Sequence, residues 1–184
     1  MPDMELLDIE LKDKEWELEY IDHSREIVRA IVFDKDGFFY FVRATRNDDF
    51  GNVVIVETAG GGVEPNEDYD RAIVRELREE LGVEVEILCK IGTVSDYYNL
   101  IHRHNINNYY LCKAISFEER HLTEDEEKQF HLTTLKLTYD EALSEYEKCK
   151  ESRLGRLIAQ REVPILRRAK EMIDNLRGDA DFTM

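Results

Sequence analysis

The chain reads as an α+β domain built around a mixed β-sheet. Three observations carry that expectation. Alternating or continuous apolar runs of strand length occur both before and after one central segment of helical period. Further helical segments close the chain. The 184 residues, 42% of them apolar, suffice for one sizeable core. A single domain over residues 1–184 is expected, with an N-terminal strand extension over 1–22 and a C-terminal helical extension over 152–177.

The elements follow in order. Leu7, Ile9 and Leu11, then Trp16, Leu18 and Tyr20, alternate with polar partners, which predicts an N-terminal hairpin or pair of short strands. EIVRAIVF and FFYFVRA flank the turn DKDG at 34–37, a strong hairpin signal and the expected sheet centre. TRNDDFGN at 45–52 reads as a loop, and VVIVET as a short buried strand that leads into Gly60, Gly61 and Gly62. From Asn66 or Glu67 to Leu81 the apolar residues recur at helical steps, and Gly82 supplies the stop. VEVEILCKIGTVS and INNYYLCKAISF are strands separated by the polar loop YYNLIHRHN. EERHLTEDEEKQ is an acidic loop and FHLTTLKLT a further strand. Thr138 and Glu141 form a capping box that starts a helix to about Lys150. A last helix is expected from about Pro164 to Leu176, with the proline in its first turn.

Composition excludes several functions. With 41 acidic against 25 basic residues and a net charge of −16, the chain lacks the clustered positive charge that long nucleic acids reward. A small phosphorylated ligand fits if metal ions supply positive charge. Three widely spaced cysteines, Cys89, Cys112 and Cys149, suit a reducing compartment better than a disulfide framework. The acidic start does not read as a signal peptide, and no apolar run is long enough for a bilayer. A cytoplasmic protein without membrane partners is expected.

The unusual stretch is AGGGVEPNEDYDRAIVRELREELGV, where RELREEL crowds carboxylates on one helix. At about 100° per residue, Glu76, Glu79 and Glu80 fall within one arc of roughly 100°, on the border between packed and open surface. A solvated acidic face would look the same, since like charges at this spacing cost only a few tenths of a kcal/mol per pair. The glycines and the spacing argue otherwise. Gly61 is followed after five residues by Glu67, after seven more by Arg75-Glu76-Leu77, then by Glu79-Glu80 and Gly82-Val83. A few carboxylates on one rigid element, with glycine backbone beside them, suit a hard cation that keeps waters and binds phosphates.

At all nine specified positions this stretch resembles the box of the Nudix hydrolase family. The resemblance implies an α/β/α sandwich around a mixed sheet and Mg²⁺-dependent hydrolysis, with Mn²⁺ as an allowed substitute. The bond cleaved would be a pyrophosphate in a nucleoside diphosphate linked to another moiety, such as ADP-ribose or a nucleoside triphosphate. It further implies Glu76 and Glu80 as principal metal ligands, and Glu79 as a further ligand or the activator of water. The same resemblance implies the Gly60 carbonyl as an additional ligand and Arg75, paired with Glu67, as a support of the site. Relatives often take another carboxylate from a loop outside the box, which nominates Glu126 or Glu127 as ligand or general base. Ala59 stands where many relatives carry proline, which leaves the metal chemistry intact because proline supplies no ligand.

Markers of particular substrates are not met, although Tyr97 and Tyr98 come near a tyrosine found in diadenosine polyphosphate hydrolases. Arg43, Tyr98 and Arg103 are the candidate substrate-binding residues, with YYNLIHRH either lining the substrate mouth or serving as an ordinary polar hairpin loop. Trp16 and the N-terminal strands are candidates for a homodimer contact, against simple intramolecular packing. A nucleotide-sensing domain without catalysis and a dinucleoside polyphosphate hydrolase are the alternative readings.

Overall fold

The structure is a computed structural model that describes residues 4–119 and 131–182. In chain order it contains β1 (Leu7–Glu10), β2 (His23–Phe33), β3 (Phe39–Asp48), β4 (Gly51–Glu57), β5 (Ala59–Gly62), α1 (Tyr69–Leu81), β6 (Val83–Tyr98), a 3₁₀ turn (Asn99–Ile101), β7 (Arg103–Phe117), β8 (Thr133–Leu137), α2 (Tyr139–Cys149) and α3 (Arg153–Phe182). Among the described residues the strands form one sheet in the order β1-β6-β7-β2-β3-β4, with β5 paired to β2 and β8 to β3. β1 runs parallel to β6 and β2 parallel to β7, so the sheet is mixed.

Strand alternation divides the helices between the two faces. Glu26 on β2 and Asn108 on β7 meet each other and Tyr69 of α1. Arg29 and Tyr109, of opposite parity, face the Arg161 and Glu162 side of α3. A mixed sheet between α1 and the C-terminal helices is the arrangement expected from the sequence.

The predicted central hairpin is present. Asp34 accepts from the amides of Asp36 and Phe38 and from the Tyr40 hydroxyl, and Gly37 takes φ +88° at the turn. β2 and β3 then stay paired only at Val32–Tyr40 and Phe33–Phe39. Beyond that point β3 follows β4, while β5 pairs with β2 from Ile27 to Ala30. The separation between these two pairs opens the cleft described below.

Several boundaries differ from the sequence reading. The loop expected at 45–52 is mostly strand, since β3 and β4 pair down to Asp48–Gly51 and leave a turn at Asp49–Phe50, with Gly51 at φ +95°. Polar residues on this outlying ribbon hid the pairing. The loop expected at YYNLIHRHN shrinks to the 3₁₀ turn, with Tyr97 and Tyr98 in β6 and Arg103 opening β7. α1 starts at Tyr69, not at Asn66 or Glu67, because Asn66 turns left-handed (φ 63°) and Asp68 caps the helix by accepting from the Arg71 amide. Only β1 forms among the expected N-terminal strands. The rest of that segment is held instead by Asp13, which accepts from the amides of Glu15, Trp16 and Asn99. Trp16 packs within the chain, edge-on to Phe50 and beneath Arg153.

The C-terminal helix is longer than expected. It begins at Arg153 and carries Pro164 in its interior. Proline there removes the bond to the Gln160 carbonyl. Both residues are exposed, so water can take that carbonyl.

Running through Pro164 lets α3 deliver Arg161 and Glu162, each fully buried, against the sheet. Glu162 accepts from the amide and hydroxyl of Thr58 at 2.7 and 2.6 Å and from the hydroxyls of Tyr109 and Tyr146 at 2.5 and 3.0 Å. Arg161 donates to Tyr109, Tyr98, Asp96 and Glu57 at 2.7–3.3 Å. Burying these charges is tolerable because their donors and acceptors are so widely satisfied. Arg161→Met strands the carboxylates of Glu57 and Asp96, and it is expected to destabilise the fold by about 3–5 kcal/mol. Urea unfolding monitored by tryptophan fluorescence measures this; an unchanged midpoint contradicts the role given to Arg161.

Candidate active-site cleft

Helix α1 presents two stripes. Ala72, Ile73, Leu77 and Leu81 are buried in the core, and Gly82 ends the helix at φ 61° with its amide donating to the Arg78 and Leu77 carbonyls. Beside that stripe stand Glu76 and Glu80, each only 8% exposed, and the more open Glu79. All three line a cleft of about 560 Å³.

The carboxylates reach the cleft past β5, which has no side chains at Gly60, Gly61 and Gly62. A Cβ on Gly61 would lie 2.6 Å from a Glu76 carboxylate oxygen. At Gly62 it would lie 2.9 Å from the Arg25 guanidinium. Gly60 is required for another reason: its Cβ would come within 2.1 Å of the Val28 carbonyl oxygen, so close pairing with β2 excludes any side chain there. The Gly60 amide donates to Glu80 at 3.0 Å.

Arg75 fixes the arrangement. Its Nε and Nη2 donate to the two carboxylate oxygens of Glu67 at 2.7 and 2.8 Å, a bidentate fork. Nη2 also donates to the Gly62 carbonyl at 3.1 Å, and Nη1 to Glu76 at 2.8 Å, with Glu79 at 3.5 Å. The fork with Arg75 pulls the Glu67 carboxyl down to about 2 from an ordinary 4.5. Glu67 itself belongs to the turn before α1.

The opposite wall carries positive charge. Arg29 pairs with Glu57 at 2.6 Å and donates to the Thr58 carbonyl. Burial is the strongest single influence and opposes its charge, but Glu57, Tyr109 and Glu162 together overcome it and hold its pKa above the usual arginine range. Arg25 and Arg103 stand beside it, and Arg46, Phe50, Tyr98, Ile101 and Leu132 complete that side.

Most nominated residues meet in this cleft: Gly60, Arg75, Glu76, Glu79, Glu80, Tyr98 and Arg103 all line it. Glu67 supports it through Arg75. Arg43 is not among the residues that line the cleft. Along β3 alternate side chains point apart, so Val42, Ala44 and Arg46 line the cleft while Arg43 turns toward α2 and pairs with Glu145 at 3.0 Å. Glu126 and Glu127 lie outside the described residues. The sequence reading missed Arg25, Arg29, Arg46, Phe50 and Glu57. The parity of EIVRAIVF would have aligned Arg25, Ile27 and Arg29 on one face, but nothing local says that this face borders a cleft.

Oxygen donors dominate the acidic end of the cleft. Two largely buried carboxylates one helical turn apart, with glycine backbone before them, fit a hard divalent cation with substrate phosphate as co-ligand. Among the described residues no three His, Cys, Asp or Glu side chains already converge on one point. Glu76 is turned to Arg75 and Glu80 to the Gly60 amide.

The depressed Glu67 pKa has a signed consequence. Its ion pair contributes stability that is fully present above the unfolded carboxyl value near 4.5 and is lost as pH falls toward about 2. Glu67→Gln is expected to lower stability at pH 7 and to flatten its decline between those two values. Urea titrations at pH 7 and pH 3 measure both; parallel losses in wild type and variant contradict the assignment.

Comparison with known proteins agrees with this geometry. The NUDIX domain family matches residues 23–151. A CTP pyrophosphohydrolase of Escherichia coli (strain K12) is 44% identical over 63 residues, which span 34% of this chain and 44% of that protein, less than half its length. The MutT protein from Methanosarcina mazei Go1 superposes with a TM-score of 0.56 at 16% identity, covering 85% of this chain and 98% of that one. The MutT NUDIX hydrolase from Burkholderia pseudomallei gives 0.52 at 24% identity, covering 64% and 84%. These two structural likenesses speak to the fold. With the family match extending over well over half of the sequence, the chain belongs to the NUDIX domain family.

Proposed function

We propose that the protein is a Mg²⁺-dependent pyrophosphohydrolase acting on a nucleoside diphosphate linked to another moiety, a nucleotide sugar or a nucleoside triphosphate. The observation that carries this reading is the delivery of Glu76, Glu79 and Glu80 from one helix into a cleft whose other wall is cationic and aromatic. The short match to a CTP pyrophosphohydrolase supports the nucleotide part of the reading.

Water attacks one phosphorus, the bridging P–O bond breaks, and the products are a nucleoside monophosphate and the phosphorylated remainder. Bound Mg²⁺ would neutralise the diphosphate, polarise phosphorus and lower the pKa of the attacking water. Glu76 and Glu80 would hold it, with the Gly60 carbonyl. Glu79, the most open of the three carboxylates, can take the proton of the water. Arg75 restrains Glu76 while leaving Glu79 at the edge of its reach. Tyr98 and Phe50, ring centroids 5.5 Å apart and edge-to-face, offer an apolar end for a base.

Glu80→Gln keeps an oxygen that accepts from the Gly60 amide while removing the charge. It is expected to preserve the fold and to lower kcat roughly 10²-fold or more. Turnover of nucleotide sugars and nucleoside triphosphates with Mg²⁺, alongside thermal unfolding, measures the two effects. Near-native turnover contradicts the assignment of Glu80. Mg²⁺-dependent nucleotide binding by the wild type without any turnover would favour a sensor domain.

A further inference from the structure

The cationic wall holds more arginine than its own carboxylates use. Arg29 and Arg161 are committed: both bond Glu57, and Arg161 also bonds Asp96, Tyr98 and Tyr109. Arg25 and Arg103 are not. Among the described residues no hydrogen bond or ion pair engages the Arg25 guanidinium, which lies over Gly62 inside the cleft although much of the residue remains open to solvent. Arg103 donates through Nε to Asn105 at 2.6 Å and stacks over the Tyr98 ring at 5.3 Å. Those two contacts orient its plane and leave both terminal nitrogens without a partner among the described residues.

The register brings the two together. Arg25 on β2 is the cross-strand neighbour of Asn105 on β7, the residue that accepts from Arg103 two positions before it on the same strand, so the two guanidiniums feel each other's charge. Asn105 is fully buried, and its Nδ2 is the one buried side-chain polar atom left unbonded among the described residues. Turning the amide to satisfy it would give up the bond to Arg103, so the side chain is set by the arginine it aims. Withdrawal from water lowers the pKa of both arginines and Arg29 lowers each further, against the opposite pull of Glu76 and Glu57 on Arg25 and of Tyr98 on Arg103. Like charges crowded in a cleft, with forks left open, are the mirror image of the carboxylates on α1. They suit an oxyanion, for which guanidinium is the preferred bidentate partner.

We propose that Arg25 and Arg103 form a receptor for a phosphate group that the substrate carries in addition to its scissile pyrophosphate, with Asn105 as the positioning residue for Arg103. This rests on the pyrophosphohydrolase reading above. It selects, among the substrates that reading allows, those with a third phosphate: nucleoside triphosphates, or nucleotide sugars bearing a separate phosphomonoester. A nucleotide sugar with two phosphates only would leave the two arginines unneutralised.

The test compares kcat/KM, with Mg²⁺, for a nucleoside triphosphate, the matching nucleotide sugar and the same sugar nucleotide carrying a phosphomonoester. Wild type, Arg25→Gln, Arg25→Lys, Arg103→Gln and Asn105→Ala are assayed. The preference for the third phosphate is expected to fall tenfold or more in Arg25→Gln and Arg103→Gln, through KM rather than kcat. Arg25→Lys retains part of it, and Asn105→Ala follows Arg103→Gln. A loss confined to the triphosphate identifies a terminal phosphate as the ligand, and a loss shared with the phosphomonoester identifies phosphate at either place. A preference that is absent in wild type, or unmoved by both Gln variants, overturns the inference while leaving the hydrolase intact. Calorimetric titration with inorganic tripolyphosphate in EDTA separates the two readings further: Arg25-dependent binding by a protein that hydrolyses no nucleotide keeps the receptor and removes the hydrolase, and no binding together with no turnover removes both.

Discussion

The Arg75 guanidinium is shared by groups from three segments of the chain: the Glu67 carboxylate in the turn before α1, the Gly62 carbonyl at the end of β5, and Glu76 on the helix itself. A planar fork with five donors can satisfy all of these at once, and no other side chain can. Because the bonds run in different directions, they fix where the glycine strand lies relative to the helix. That relation decides whether a carboxylate from one side of the sheet reaches the cleft on the other. The space that a Cβ at position 61 would fill is occupied by Glu76. Arg75 and Gly61 are therefore two halves of one constraint.

The second support lies beneath the cleft. α3 inserts Arg161 and Glu162 side by side into a buried set of tyrosines, carboxylates and the backbone of Thr58, which directly precedes β5. Glu162 thus anchors the start of the glycine strand from below while Arg75 anchors its end from above. Burial works against the Glu57 carboxylate, but Arg29, Arg161 and Arg46 together with the Arg161 hydrogen bond hold its pKa below the ordinary value. The result is a charge-balanced floor under a cleft that carries carboxylates on one wall and the guanidiniums of Arg25 and Arg103 on the other. An elongated polyphosphate with bound cations is complementary to both walls at once.

Much of this was legible in the sequence, for reasons that differ by residue. The spacing of Gly61, Glu67, Arg75, Glu76, Glu79, Glu80 and Gly82 lies within one loop and one helix, where helical geometry converts spacing into direction. Hence the common facing of the glutamates could be anticipated from spacing, while the Arg75–Glu67 pair came from the family resemblance. The Asp36-Gly37 hairpin was equally local. What failed was non-local. Arg43 was nominated and Arg46 was not, and only the strand's alternation against a bend that the sequence does not announce separates them. The extension of β3 and β4 through 45–52 depends on partner strands that stabilise residues of poor strand propensity. Pro164 suggested a helix start, yet burial of Arg161 and Glu162 on the preceding turn outweighs one missing backbone bond. Nothing in the sequence singles out Arg161 and Glu162, because charged residues are almost always solvated.

The central claim is that α1 carries a cation site assembled by Arg75 and the glycine strand. Anomalous diffraction from crystals grown with Mn²⁺ tests it most directly. The account predicts a peak bonded to the carboxylates of both Glu76 and Glu80, at about 2 Å as for small hard divalent ions, with Arg75 still paired to Glu67. A peak placed elsewhere, or one that engages neither Glu76 nor Glu80, would contradict it.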